Sequence, residues 1–195
     1  MLILPLAFLL ALLPETAAAH NAFGDMGGFN NGFLHPLTTI QHVLALLGLG
    51  AVLIFNRDKG DRALAGVLLG FIAGYAAAVM AGPFGFAPAA IAIATIVMGL
   101  TAASGHKLRL PLLLALVTLT GFSMGMDTGD ETATLGQHSA FVLGACISLT
   151  IVQGYALWTA MAVRKDWQKI VVRIAGSWIA TISLLYVAVE FSAKK

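Results

Sequence analysis

Six long apolar segments occupy most of this chain and constrain its fold more than any other feature. They cover residues 34–55, 63–82, 86–104, 109–125, 138–163 and 170–191. Each is close to the roughly 20 residues that a helix needs to cross the hydrocarbon core of a bilayer. Only 10% of the 195 residues are charged, against about 25% in an ordinary soluble domain. The sequence therefore predicts an all-α membrane protein, a bundle of about six transmembrane helices.

The first 19 residues have the pattern of a signal peptide. An apolar run ends at Pro14, and residues 17–19 are all alanine, the small side chains that signal peptidase recognises. No Lys or Arg precedes the run, so an uncleaved anchor stays open as an alternative. We predict cleavage near Ala19 and a single membrane domain of residues 20–195 that begins on the outer side.

The basic residues are concentrated in three of the loops between the apolar segments. The first, third and fifth loops contain Arg57, Lys59, Arg62, Lys107, Arg109, Arg164, Lys165 and Lys169. The fourth loop is acidic and has no Lys or Arg. By the positive-inside rule the odd-numbered loops face the cytoplasm. This agrees with the export segment and predicts a multi-pass protein of the bacterial inner membrane with a periplasmic mature N-terminus.

Two histidines, His35 and His42, interrupt the first apolar segment. Ionisable groups inside a membrane span are costly and indicate function. Their spacing of seven residues places both on one helix face, but about 10 Å apart along a straight axis. Proline suits the first turn of a helix, so we expect the helix to begin near Pro36. Either the segment is broken at Pro36, or the histidines belong to successive sites on a path; a structural, hydrogen-bonded role for His42 also stays open.

Other imidazole and carboxylate groups are predicted on or near the same, outer side. His20, Asp127 and His138 are candidates to join His35, with His42 one step deeper. This ligand set suits divalent transition ions such as nickel, cobalt or zinc. Cleavage after Ala19 would make His20 the first residue, with an amino group and a ring nitrogen for one metal. A solvated acidic loop with scattered histidines is the competing interpretation.

Several apolar-segment residues have an ambiguous role. Met124 and Met126 offer thioethers, which favour soft ions such as Cu(I), although methionine also fills space in helices. Gln153 is either a polar packing contact or a path-lining group. Cys146 is the single cysteine and indicates packing. Glycines at four-residue spacing in the second and fourth segments indicate close helix contact.

Residues 32–42, with the sequence Gly-Phe-Leu-His-Pro-Leu-Thr-Thr-Ile-Gln-His, follow an export segment and a Gly-rich stretch. This arrangement resembles the HupE/UreJ family of hydrogenase and urease accessory proteins, which are regarded as nickel or cobalt permeases. The family's first-span pattern HPxxGxDH matches at His35, Pro36 and His42. The resemblance implies that both histidines bind or pass the ion. Gln41 stands where the pattern has Asp, and the histidines of a later family motif are absent from residues 121–129.

These observations predict a secondary permease for a divalent transition metal, nickel first and cobalt, zinc or copper next, with no tightly bound cofactor. The expected partners are the lipid bilayer and the metal ion. The alternative is a non-transporting accessory subunit that binds or delivers metal to a metalloenzyme or its maturation machinery. We expect no enzyme activity, because no grouping of nucleophile, base and oxyanion donors is present. Nucleic-acid binding has no support either, since the net charge is only +2 and forms no broad basic face.

Overall fold

The computed structural model describes residues 27–82, 85–128 and 134–193. Within these ranges the chain forms α-helices and no strand. They are α1 (Gly27–Thr38), α2 (Ile40–Phe55), α3 (Gly60–Ala81), α4 (Ala87–Ser104), α5 (Leu110–Met126), α6 (Leu135–Ala162) and α7 (Asp166–Ala193), with a 3-10 turn at Arg57–Lys59. The predicted signal peptide and His20 lie outside the described residues.

The helices have the length and apolar character of membrane spans. Four of the described helices qualify singly, in the segments 57–81, 87–104, 135–162 and 166–189, and α1 with α2 forms a fifth, bent span. α5 is apolar and 17 residues long, at the short end of the range of about 17–25 residues for a span. Large apolar side chains such as Leu69, Trp158 and Val189 are exposed on the outside of the bundle, as lipid contact requires. The predicted all-α membrane bundle is confirmed.

The first span starts earlier than expected and is broken. It begins at Gly27, so the expectation of a start near Pro36 is wrong, and it breaks at Thr39, where α1 and α2 meet at 67°. Pro36 lies inside α1 and removes one helical hydrogen bond there. The Thr38 hydroxyl donates to the carbonyl of Leu34 at 3.1 Å, and Thr39 is extended, with φ −81° and ψ 113°. Non-helical backbone of this kind is tolerated at membrane depth where protein surrounds it.

Close helix pairs account for most of the packing. The most extensive are α3 with α5, α1 with α6, and α4 with α7. Glycines lie at each of these contacts: a Cβ at Gly74 of α3 would meet the carbonyl of Phe122, and one at Gly32 of α1 would meet the carbonyl of Phe141. Small residues let helix backbones approach where lipid offers no hydrophobic driving force. We call these three contacts the glycine seams.

α2 lies at the centre of the bundle. It packs against α4, α6 and α7, and Leu46, Leu49 and Val52 are at most 4% exposed. After its last turn the buried Asn56 donates to the carbonyl of Val52 and accepts from the amide of Leu108, both at 2.9 Å. We call the end of the bundle near the start of α2 the histidine end, and the end near Asn56 the basic end.

Candidate metal centre

The break in the first span brings its two histidines together. The ring centroids of His35 and His42 are 5.0 Å apart, with the rings at 66° to each other. On a straight helix seven residues would separate them by about 10 Å along the axis. The 67° bend at Thr39 closes that gap, so one site can use both rings.

Asp127 completes the group from another helix. It is the C-cap residue of α5, and its Oδ2 lies 3.2 Å from His42 Nε2. One donor atom from each of His35, His42 and Asp127 lies within 4.8 Å of the other two. The His42 side chain is fully buried, and that of Asp127 is 18% exposed. The bundle therefore holds two imidazoles and a carboxylate in one partly buried cluster, which we call the His-His-Asp group.

The hydrogen bond inside the group leaves one ring nitrogen of His42 open. An ionised carboxylate only accepts hydrogen bonds, so His42 Nε2 is the donor while Asp127 is ionised. His42 Nδ1 is buried and has no hydrogen-bond partner among the described residues. A carboxylate that holds one imidazole nitrogen and leaves the other open is the usual arrangement behind a metal-binding histidine.

Two helix C-termini face this group. His35 is in the last turn of α1, and Asp127 caps α5. The unsatisfied carbonyl groups at a helix C-terminus carry partial negative charge, which stabilises a nearby cation. Backbone dipoles and the Asp127 carboxylate thus act in the same direction. The site is arranged for a positive ion inside an apolar bundle.

The size of the group suits one metal ion. Metal–donor distances of about 2.0–2.2 Å allow two donors on one ion to be at most about 4.4 Å apart. The three donor atoms all lie within 4.8 Å of one another, close to this limit. Imidazole nitrogen favours nickel, zinc, copper or iron over magnesium and calcium.

The other predicted ligands are not brought into the group. His138 Nδ1 hydrogen-bonds with the Tyr75 hydroxyl at 2.9 Å. The ring of Tyr75 stacks on Phe141 at 5.3 Å, and Phe141 contacts His35 at 5.9 Å. Ring contacts through Tyr75 and Phe141 thus connect His138 to His35, but His138 is not a member of the His-His-Asp group; its predicted role as a ligand stays a prediction. His20 lies outside the described residues.

Position 41, where the sequence pattern has lost its acid, faces a different helix. The Gln41 side-chain amide donates to the Tyr186 hydroxyl of α7. The carboxylate beside His42 comes instead from Asp127, 85 residues later in the chain. Met124 and Met126 are buried, and Met124 belongs to the apolar core. No sequence signal pointed to Tyr75 or Tyr186.

An open cavity of about 1210 Å³ lies at the basic end. Its cationic lining consists of Arg57, Lys107, Arg164, Lys169 and Arg173, with Asp58 as the acidic residue among the lining. Two of these side chains are engaged: Lys169 pairs with Asp166 at 2.9 Å, and Arg173 donates to the carbonyl of Ala103 at 2.8 Å. The two ends of the bundle therefore differ in charge.

Together the bent first span and the His-His-Asp group define a multi-pass helical membrane protein with a candidate metal site inside the bundle. Comparison with known sequences agrees with this class: the model of the HupE / UreJ protein family matches residues 7–186. The chain belongs to the HupE/UreJ family, as its first-span motif indicated. It is 26% identical over 175 residues to Protein HupE of Rhizobium leguminosarum bv. viciae, which covers 86% of this chain and 88% of that protein. No solved structure matches the chain.

Proposed function

We propose that this protein is a secondary permease for divalent transition cations, with nickel as the first candidate and cobalt, zinc and copper to be tested beside it. The observation that carries the proposal is the His-His-Asp group, a partly buried candidate cation site at a helix break in a membrane bundle. Broken helices whose ends point at an ion are typical of membrane transport sites. Membership of the HupE/UreJ family also supports a role in metal handling.

The geometry supports a mechanism in which His35 and His42 replace part of the water around the arriving ion. Asp127 compensates its charge, helped by the C-termini of α1 and α5. A divalent ion can bind the open His42 Nδ1 only when that nitrogen carries no proton, so a protonated imidazole must release its Nδ1 proton to bind the ion. Imidazole changes protonation in the physiological pH range, so cation entry coupled to proton release is the coupling we propose. Enzyme activity is not part of the proposal.

The positive-inside rule supports the orientation. It places the basic end in the cytoplasm and the His-His-Asp group toward the periplasm of an inner-membrane protein. In this orientation the ion meets the carboxylate and imidazoles first.

The test is metal uptake by proteoliposomes that contain the purified chain, with Ni, Co, Zn and Cu offered in parallel. We expect selective uptake by the wild type and its loss in the His35→Ala/His42→Ala double variant. His106→Ala is the matched control, because His106 is an exposed histidine in the loop before α5. Uptake that persists unchanged in the double variant would contradict the proposal.

A second candidate function is a non-transporting subunit that holds or delivers metal to a metalloenzyme. The cationic cavity at the basic end favours it, because such a surface can receive an acidic partner. Tight metal binding without flux, together with a stable copurifying enzyme or maturation protein, would select this function.

A further inference from the structure

Two polar side chains of α6 are buried in the apolar core with no hydrogen-bond partner among the described residues. Gln153 is fully buried, and neither its amide oxygen nor its amide nitrogen has a hydrogen-bond partner among the described residues. The hydroxyl of Ser148 is also buried and lacks such a partner within the part of the chain that the structure describes. Burying an amide or a hydroxyl without hydrogen bonds is energetically costly. Polar groups left this way in a membrane bundle indicate that water or an ion completes them.

The contacts of α6 place these side chains between the two ends of the bundle. Phe141 touches His35 at the histidine end, and Met161 lines the cationic cavity at the basic end. At 1.5 Å per residue, Ser148 lies about 10 Å and Gln153 about 18 Å beyond Phe141 along the helix. A Cβ at Gly60, the first residue of α3, would meet Leu157, one turn further along α6. Ser148 and Gln153 therefore lie at successive depths between the His-His-Asp group and the cavity, with side chains about 140° apart around α6.

Gln153 and Ser148 differ from the His-His-Asp group in that they are uncharged. An amide oxygen and a hydroxyl oxygen carry no net charge, so they can contact a hydrated cation without holding it tightly. Conduction through a membrane requires sites strong enough to fill and weak enough to empty. A charged first site followed by neutral oxygens satisfies both conditions.

We propose that Ser148 and Gln153 are two successive uncharged contacts for a partly hydrated divalent transition cation that leaves the His-His-Asp group. The proposal rests on the permease function proposed above. It assigns to Gln153 a role in flux and none in the initial capture of the ion.

The experiment compares flux with equilibrium binding for Gln153→Leu and Ser148→Ala. Proteoliposome uptake of Ni²⁺ should fall at least about tenfold in Gln153→Leu, the factor expected when a hydrogen bond to a charged group is lost. Ni²⁺ binding by the same purified variant should stay within about threefold of wild type, because the His-His-Asp group is intact. The matched control is Thr120→Val, since Thr120 is buried in α5 but its hydroxyl already donates to the carbonyl of Leu116 at 2.8 Å. This control should retain both properties.

Each outcome has a distinct meaning. Uptake by Gln153→Leu that equals wild-type uptake would overturn the proposal, and a raised melting temperature in that variant would show that Gln153 is a buried polar group that only destabilises the fold. A wild type that binds but does not transport would instead contradict the permease function itself. If Gln153→Leu fails to fold, Gln153→Asn and Ser148→Ala replace it; wild-type uptake by both would overturn the proposal.

Discussion

At the scale of single residues, the carboxylate beside His42 is that of Asp127, whereas Gln41 contributes to the packing of α2 against α7. The Gln41 amide donates to the Tyr186 hydroxyl, and Asp127 Oδ2 lies 3.2 Å from His42 Nε2. The loss of the acid in the HPxxGxDH pattern therefore does not leave the histidines without a carboxylate.

This division of roles predicts opposite phenotypes for two substitutions. Asp127→Asn keeps the shape of the side chain and removes its charge, so Ni²⁺ affinity should fall by about tenfold or more, as for the loss of a charged interaction. Gln41→Ala should leave Ni²⁺ affinity nearly unchanged and lower the free energy of unfolding by about 1 kcal/mol through the lost hydrogen bond. Calorimetric titration and thermal unfolding in detergent measure the two effects. Equal affinities for both variants would show that Asp127 is not a ligand.

The sequence was informative at this scale only for residue identities. His35, His42 and Asp127 were all candidates because ionisable residues in or beside apolar segments are uncommon. The pairing of His42 with Asp127 joins residues 85 positions apart, and no local pattern encodes such a distance. His138 is not in the group, and proximity to the same membrane face does not reveal that its Nδ1 hydrogen-bonds with Tyr75.

At the scale of helices, the glycine seam between α3 and α5 holds these two helices together and thereby positions Asp127. Gly70 and Gly74 of α3 face the backbone of α5 near Thr118 and Phe122. Asp127 caps the helix that they contact. A substitution at Gly70 or Gly74 should therefore shift Asp127 and alter the candidate metal site, although neither glycine contacts that site.

We expect Gly70→Ala and Gly74→Ala each to lower the free energy of unfolding by about 1–3 kcal/mol, the usual effect of overpacking. The added Cβ would collide with carbonyl groups of α5 that cannot move aside as a flexible side chain does. Gly154→Ala in α6 is the matched control, because no atom lies within 4 Å of its added Cβ. Thermal unfolding in detergent reports the difference. Seam variants as stable as Gly154→Ala would refute the tight contact.

Helix existence was predictable from apolar length, whereas the break was not located correctly. The two sequence alternatives were a break at Pro36 and successive sites on a straight path. The break lies at Thr39, after Thr38 has satisfied a carbonyl of the preceding turn. Backbone geometry of this kind depends on the surrounding helices, which a single segment does not specify.

At the scale of the whole molecule, the bundle has a histidine end and a basic end that differ in charge. The cationic side chains gather around one open cavity, and the His-His-Asp group lies near the other end. The charge pattern of the loops was visible in the sequence, but their convergence on one cavity required the fold.

The proposed orientation predicts which loops a membrane-impermeant maleimide can label in intact spheroplasts. In a Cys146→Ala background, Leu135→Cys should react, since residue 135 is 85% exposed at the start of α6. Lys107→Cys, in a basic loop, should react only after the membrane is permeabilised. The reverse labelling pattern would invert the proposed orientation and with it the direction in which the ion meets the His-His-Asp group.

The glycine seams also set the order in which the helices can assemble during synthesis. Each seam joins helices that are not neighbours in the chain: α3 with α5, α1 with α6, and α4 with α7. At about 5–20 residues per second, Asp127 leaves the ribosome roughly 4–17 s after His42, and α1 waits longer still for α6. His35 and His42 are inserted before Asp127 and α6 have been synthesised. Until then lipid, water or the insertion machinery must solvate the two histidines. The candidate metal site therefore cannot form before Asp127, at the end of α5, has been made, and a chain interrupted earlier carries two histidines but no site.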